Sequence, residues 1–384
     1  MHSMNIERCV GLLEKMVSIP SESKNEEKFA RFLEKYLREN LSMRVNLQHV
    51  EGKSYNVIGT FGTGKSDRTL ILGGHIDTVA PTEAWKTDPY TLTREKDMLR
   101  GLGAGDMKGG LACQITVLRQ ILEERKPIDA DVIFFGFADE ERCSIGANAF
   151  VKKMLDAGER YKNPFFIMGE PHFDNIVIGA TGKVLFQIII RGTEAQAATP
   201  EDGVNAIDCM ARFINAVHEK YDRLYRKGDS ASFCFLKVNS AYREYSLTVP
   251  NKCQAILNKQ LTSKENADDF KNSIEELYKK EVGMGELVVK KITPSYPSYR
   301  LPENQPDMKA IYEHVQNDFH RKIELRINHG VSDGNILFTE LGIPTILYGP
   351  QGVNFHTENE YVSEKSLAQY MEELYSYIIQ EYIK

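Results

Sequence analysis

Apolar residues recur at helical spacing in "NIERCVGLLEKMVSIPS" (5–21) and again in "NEEKFARFLEKYLREN" (25–40), and a Pro-Ser break between them predicts two separate helices. Short apolar runs follow in "YNVIGTF" (55–61) and "TLILGG" (69–74), which read as strands. Beyond them the pattern alternates: helix in "MKGGLACQITVLRQILEER" (107–125), strand in "DVIFFGFA" (131–138), helix in "GANAFVKKMLDAG" (146–158), strand in "FFIMG" (165–169). Such alternation predicts an α/β domain, a mostly parallel sheet covered by helices on both faces.

From about residue 183 the rhythm changes. "KVLFQIIIRG" (183–192) reads as a strand, "GVNAIDCMARFINAVHEKYDRL" (203–224) as a helix, and "SFCFLKVN" (232–239) and "SLTVPNKCQAILN" (246–258) as two strands. A helix in "KENADDFKNSIEELYKKEVG" (264–283) and a strand in "ELVVKKI" (286–292) complete a βαββαβ, ferredoxin-like order. After Pro294 the α/β pattern resumes, with helices near 308–319 and 334–342, a strand in "PTILYG" (344–349) and a C-terminal helix. The smaller unit, 182–293, is therefore expected as an insertion between two parts of one larger domain, 1–181 and 294–384.

Bulk properties narrow the function. A length of 384 residues suits two domains, and 42% hydrophobic with 27% charged residues is ordinary for a globular protein. The net charge of −6 argues against nucleic acid or an anionic membrane as a main partner. No stretch approaches the roughly 20 apolar residues of a membrane span, and the N-terminus shows no signal-peptide pattern. The six cysteines are scattered without a C-x-x-C pair, as expected of reduced thiols in a cytoplasmic protein.

Two glycine-rich stretches imitate nucleotide-binding motifs. "GTFGTGKS" (59–66) fits G-x-x-x-x-G-K-[ST], but a strand follows it where a phosphate-binding loop needs a helix. The expectation there is a hairpin between the strands at 55–61 and 69–74. "GLGAGD" (101–106) has the wrong glycine spacing for a dinucleotide site and is also expected to be a turn.

The chemistry gathers just past the strand ends. His75 and Asp77 follow "TLILGG", Glu140 and Glu141 follow "DVIFFGFA", Glu170 follows "FFIMG", and His356 comes after "PTILYGP"; Asp106 leads into the "MKGG" helix. The carboxyl edge of an open α/β sheet is where sites assemble. Taken singly, each of these has a bland reading as a bonded histidine, a solvated acidic turn or a cap. Together, two histidines and five carboxylates on one edge would repel unless cations lay among them. Imidazole with carboxylate favours a pair of divalent ions, zinc first.

The motifs "GGHIDTVAP", "GAGDMKGG", "DEE" with "GA" at 146, "GEP", "GVNAI", "GVSDGN" with Asp333, "GIP" and H-x-x-NE at 356 resemble one family. It is that of acetylornithine deacetylase, succinyl-diaminopimelate desuccinylase and glutamate carboxypeptidase, two-domain zinc amidohydrolases. The resemblance implies two Zn²⁺, with Co²⁺ or Mn²⁺ able to substitute. His75 and Glu170 would hold one, Glu141 and His356 the other, and Asp106 would bridge. Asp77 would orient His75, and Glu140 would be the general base. The resemblance also makes the insert a lid and dimerisation domain, giving a homodimer. Its substrate positions depart from the family: Gln196 stands for a histidine, Leu247 for an asparagine and Gln260 for an arginine, while Asp333 is grouped with them as a substrate or lid residue. The expected activity is hydrolysis of an amide bond in a small N-acyl amino acid, dipeptide or related amide. Amide synthesis at the same site, or a metal-binding protein without turnover, remain open beside it.

Overall fold

The computed structural model describes residues 4–228, 230–240, 247–292 and 295–383. By proximity of its backbone the chain divides into two units. One comprises the chain up to Ala180, Arg300–Asn328 and everything from Ser332; the other is Thr181–Tyr299 with His329–Val331. The expected boundary at 293 and 294 lies outside the described residues.

In the first unit, helices α1 (Ile6–Val17) and α2 (Glu27–Leu41) lead to strands β1 (Arg44–Glu51), β2 (Ser54–Phe61) and β3 (Thr69–His75). Two short strands, β4 (Thr93–Glu95) and β5 (Met98–Arg100), precede a wide π-type turn at Ala104–Lys108 and helix α3 (Gly109–Glu123). Then come β6 (Asp131–Phe137), α4 (Ile145–Ala157), β7 (Pro164–Met168) and β8 (Asn175–Ala180). In the second unit the order is β9 (Gly182–Arg191), α5 (Ala206–Lys227), β10 (Phe233–Asn239), β11 (Lys252–Leu261), α6 (Ala267–Glu281) and β12 (Glu286–Lys291). The chain returns through β13 (Tyr299–Arg300), α7 (Pro306–Asn317), β14 (Glu324–Asn328), α8 (Asp333–Leu341), β15 (Thr345–Leu347), β16 (Gly352–Val353), β17 (Tyr361–Ser363) and α9 (Glu364–Tyr382).

The main sheet runs β1-β2-β6-β3-β7-β15-β8, with β14 also paired to β8. Its centre, β6-β3-β7-β15, is parallel; β1-β2, β2-β6 and β15-β8 are antiparallel. Every residue of β3 is buried, as is nearly all of β6 and β7, which is why these strands read as unbroken apolar runs. Helices α1, α2, α3 and α9 pack together as one group, and α4 with α8 as another. A small antiparallel sheet, β16-β17-β5-β4, completes the unit.

The structure corrects one expectation here. β2 and β3 do not form a hairpin, because β6 lies between them, antiparallel to β2 and parallel to β3. The true hairpin is β1-β2, with Glu51 opposite Ser54 around a tight turn. β1 shows no clean alternation of buried and exposed residues, so no pattern announced it. The loop at 62–66 instead wraps the first residue of β6. Gly64 and Ser66 donate backbone N–H groups to the Asp131 carboxylate at 2.8 and 3.2 Å. The amides of the apparent phosphate loop therefore already hold an anion, supplied by the protein itself.

The second unit is a four-stranded antiparallel sheet in the order β10-β11-β9-β12, with α5 and α6 packed on it. Its core joins Phe186, Ile188 and Ile190 of β9 to Phe213 and Val217 of α5 and Phe270 and Ile274 of α6. The strand expected from Ser246 begins only at Lys252, and Ser246 itself lies outside the described residues. Pro250 has no N–H to give a ladder, and before it Thr248 pairs with Gln196 through an isolated bridge.

Candidate active site

Parallel pairing decides which side chains meet. His75 lies opposite Phe137, and Gly73 lies opposite Met168, so the segments after β3, β6 and β7 emerge on one edge. That edge carries His75 and Asp77, then Asp139–Glu141, then Glu170. Two glycines admit the neighbours: a Cβ on Gly73 would fall 1.9 Å from the Phe135 carbonyl oxygen, and one on Gly74 would fall 2.2 Å from Met107 Cε. Met107 Sδ in turn accepts the His75 N–H at 3.2 Å.

His75 Nδ1 lies 3.0 Å from the backbone carbonyl of Asp77 and 3.5 Å from its carboxylate. The carbonyl only accepts, so Nδ1 carries the hydrogen and Nε2 turns toward Asp106 Oδ1 at 3.0 Å and Glu170 Oε1 at 3.7 Å. The Asp77 carboxylate has a further task. Its Oδ1 accepts the Glu140 N–H at 3.0 Å, and Oδ2 accepts the Glu141 N–H at 3.2 Å and the Ser23 hydroxyl at 2.7 Å. Glu26 fixes the start of the same turn by accepting the Asp139 N–H at 3.1 Å. The two glutamates thus leave a backbone pinned from below.

His356 sits in the loop between β16 and β17, its side chain about half exposed. Its Nε2 is 2.8 Å from Glu141 Oε2 and 3.4 Å from Asp106 Oδ2. Asp106 therefore turns one oxygen to each histidine. Ligating atoms of His75, Asp106 and Glu141 all lie within 4.8 Å of one another.

The electrostatics reflect crowded carboxylates. Burial, reinforced by Asp106, pushes Glu170 up to about 8. Burial also raises Glu141, and raises Glu140 well above its ordinary range. Burial pulls His75 down, but hydrogen bonds to Asp106 and Asp77 outweigh it and raise the imidazole. Hydrogen bonds to Asp106 and Glu141 push His356 up to about 10. Burial would raise Asp106, yet the two histidines hold it below the usual carboxylate range.

Asp333 belongs to the first unit. It opens α8 behind the Ser332 cap and is fully buried, so its carboxylate is not presented to solvent. Burial, with Asp77 and Asp139 nearby, pushes it up to about 7. In the second unit Gln196 and Leu247 are exposed on adjoining segments, the Ala197 N–H bonding the Leu247 carbonyl at 2.9 Å. Gln260 lies on β11, its side-chain oxygen accepting the Thr181 hydroxyl at 3.2 Å. Sequence reasoning gave no role to Ser23, Glu26 or Glu360, although Glu360 stands in the quoted H-x-x-NE string.

The parallel strand edge with its facing imidazoles and carboxylates has the makings of a metal-dependent hydrolase. Residues 71–380 match peptidase family M20/M25/M40. The chain belongs to that family, whose members hydrolyse amide bonds. Acetylornithine deacetylase of Proteus mirabilis is 34% identical over 199 residues, 51% of this chain, and the match spans only 49% of that relative's length. The acetylornithine deacetylase of Buchnera aphidicola is 26% identical over 366 residues, covering 90% of this chain and 91% of its own. Among solved structures, aminopeptidase PepT of Bacillus cereus shares the fold at a TM-score of 0.79 and 22% identity, with 98% of each chain covered. A dinuclear metal-binding peptidase of the M20 family from Bacillus subtilis does so at 0.72 and 14% identity, again over 98% of each chain.

Proposed function

We propose that the protein is a dinuclear zinc amidohydrolase that cleaves the amide bond of a small N-acyl amino acid, dipeptide or related amide. His75 and Glu170 would hold one ion and Glu141 and His356 the other, with Asp106 shared. The observation that carries this reading is Asp106, whose Oδ1 faces His75 at 3.0 Å while Oδ2 faces His356 at 3.4 Å. The donor set fits: two imidazoles suit zinc, and three buried or half-buried carboxylates, two of them raised in pKa, are short of positive charge. Cobalt or manganese could substitute. Ions bound there would polarise the scissile carbonyl and bring the acidity of a water near neutrality.

The chain's own residues do the rest. Glu140 takes a proton from the attacking water and delivers it to the leaving nitrogen. Its burial makes it a stronger base than a carboxylate in water. Asp77 keeps the roles of Glu140 and Glu141 separate by fixing both of their amides. The second unit would serve as lid and dimerisation surface. Gln260 there stands in place of the arginine that would grip an anionic carboxylate, and Gln196 offers a neutral donor where a histidine would help bind the oxyanion, which favours a neutral or amine-bearing amide. The scattered, unpaired cysteines fit a reducing, cytoplasmic setting.

The test is to incubate zinc-loaded protein with N-acyl amino acids, dipeptides and N-acylated amines and to follow amine release. Glu140→Gln should keep its zinc and lose roughly 10²- to 10⁴-fold in kcat. A fully loaded wild type that releases amine from none of these would overturn the reading.

A further inference from the structure

Resting on the ligand reading above, we propose that Glu360 is the positioning residue for Asp106, serving as a built-in anion for the glycine-rich turn that presents the shared aspartate. Glu360 is only 1% exposed and precedes β17. Its Oε1 accepts the N–H groups of Gly105 and Asp106, both at 2.9 Å, and its Oε2 accepts that of Gly103 at 3.0 Å. Its own backbone carbonyl accepts the Gly101 N–H at 3.2 Å. Three amides converging on one carboxylate form an anion receptor, built from the "GLGAGD" stretch whose glycines imitate a nucleotide site.

The seat is closed. Gly103 has φ +73°, and a Cβ on Gly105 would approach Gly352 Cα and the Tyr361 carbonyl oxygen to 3.2 Å and Glu360 Oε1 to 3.3 Å. Within the π-type turn Asp106 leaves helical geometry, with φ −118° and ψ 96°. Its amide lies in the first turn, where no helical acceptor is available, and Glu360 takes it. Buried Lys108 donates instead to the Met16 and Ile19 carbonyls, both at 3.0 Å, and anchors the far side of the turn. His356 and Glu360 lie four residues apart, so one loop offers a ligand and also sets the aspartate that His356 faces. Glutamine at 360 would put an NH₂ group against at least one of these N–H donors, whichever way its amide turned.

The experiment uses the full chain, depleted of metal. Zinc affinity by chelator competition, the visible spectrum after cobalt loading, and the melting temperature of the metal-free protein are compared for wild type, Glu360→Gln, Gly105→Ala and Asp106→Asn. Gly105→Ala crowds the carboxylate and the backbone on either side of the seat, at Gly352 and Tyr361, without removing the charge. The expectation is a loss of zinc affinity of about 10- to 100-fold in Glu360→Gln, the usual range for groups that orient a ligand. Gly105→Ala should fall in the same direction, with an altered cobalt spectrum in both and little change in metal-free melting temperature. Wild-type affinity and spectrum in both variants, beside a weakened Asp106→Asn, would overturn this inference alone. Affinity losses that merely track lower melting temperatures would also overturn it, since Glu360 would then be structural. Should Glu360→Gln fail to fold, Gly105→Ala decides. Full affinity in Asp106→Asn would overturn the ligand reading, and this inference with it.

Discussion

Gly73 and Gly74 are neighbours with the same composition and different obligations. A side chain at Gly73, where φ is +124°, meets the backbone of β6, which can move only if the strands part. At Gly74, where φ is +159°, it meets the far end of buried Met107, a flexible side chain that must repack rather than a backbone that must part. Gly73→Ala should therefore cost more than about 3 kcal/mol or prevent folding, whereas Gly74→Ala should cost roughly 1–3 kcal/mol. Urea midpoints measure the contrast, and equal midpoints would show that the close approach at Gly73 is not the constraint. The cost of Gly74→Ala should also reach the site, because a displaced Met107 gives up its sulfur contact with the His75 amide.

Elements explain what a reader of the sequence could and could not see. His75, Glu140, Glu141 and Glu170 were legible because an apolar run makes a strand, and whatever follows the run sits at its end. Glu26, Ser23 and Glu360 carried no such signal. The bond by which each supports the site spans 54 to 257 positions, and no local period encodes that. β14 was missed because it is short and mostly polar: three of its five residues are polar, and its two apolar residues, Leu325 and Ile327, are not fully buried.

One unforeseen pair in the second unit supports a pH prediction. Lys259 Nζ, wholly buried, lies 2.8 Å from Glu265 Oε1, and Glu265 also accepts the Ala231 and Thr262 N–H groups at 3.0 and 2.9 Å. Burial alone would raise Glu265, but Lys259, Ser230 and these amides pull it down to about 2, from an ordinary 4.5. A depressed folded-state value means that the stabilisation is complete above about pH 4.5 and is lost as pH falls toward 2. Lys259 stays charged throughout that range. After discounting for partial exposure the loss should be roughly 2 kcal/mol. Denaturant titrations between pH 5 and 2 should show a fall in wild type that is shallower in Glu265→Gln; identical slopes would remove the pair from the account.

For the whole molecule, the proposed roles of the second unit make two linked expectations. Light scattering at micromolar concentration should give the mass of a dimer, about twice 43.7 kDa. The double variant Gln196→His with Gln260→Arg should raise kcat/KM for N-acyl amino acids while lowering it for a neutral or amine-bearing amide. Improvement on every substrate would instead mark a weakened enzyme, with no change of preference behind the two glutamines. No helix among the described residues is long and apolar enough to cross a membrane.

The strand that separates β2 from β3 carries a cost in folding order. β2 and β3 are joined by only a short glycine-rich loop, whereas β6 arrives some 60 residues later and must take the place between them. By distance along the chain the nearest partner for β3 is the wrong one, and a local hairpin with it would form on the order of microseconds. Native pairing would then have to displace it through contacts distant in sequence, which form slowly. Asp131 biases that contest. The amides of Gly64 and Ser66 find their anion only when the head of β6 is in place, so the loop is satisfied in the native arrangement and left wanting in the hairpin. Asp131→Ala should therefore slow refolding and populate a trapped species visible as a second kinetic phase, an outcome that stopped-flow fluorescence of Trp85 or of the tyrosines can register.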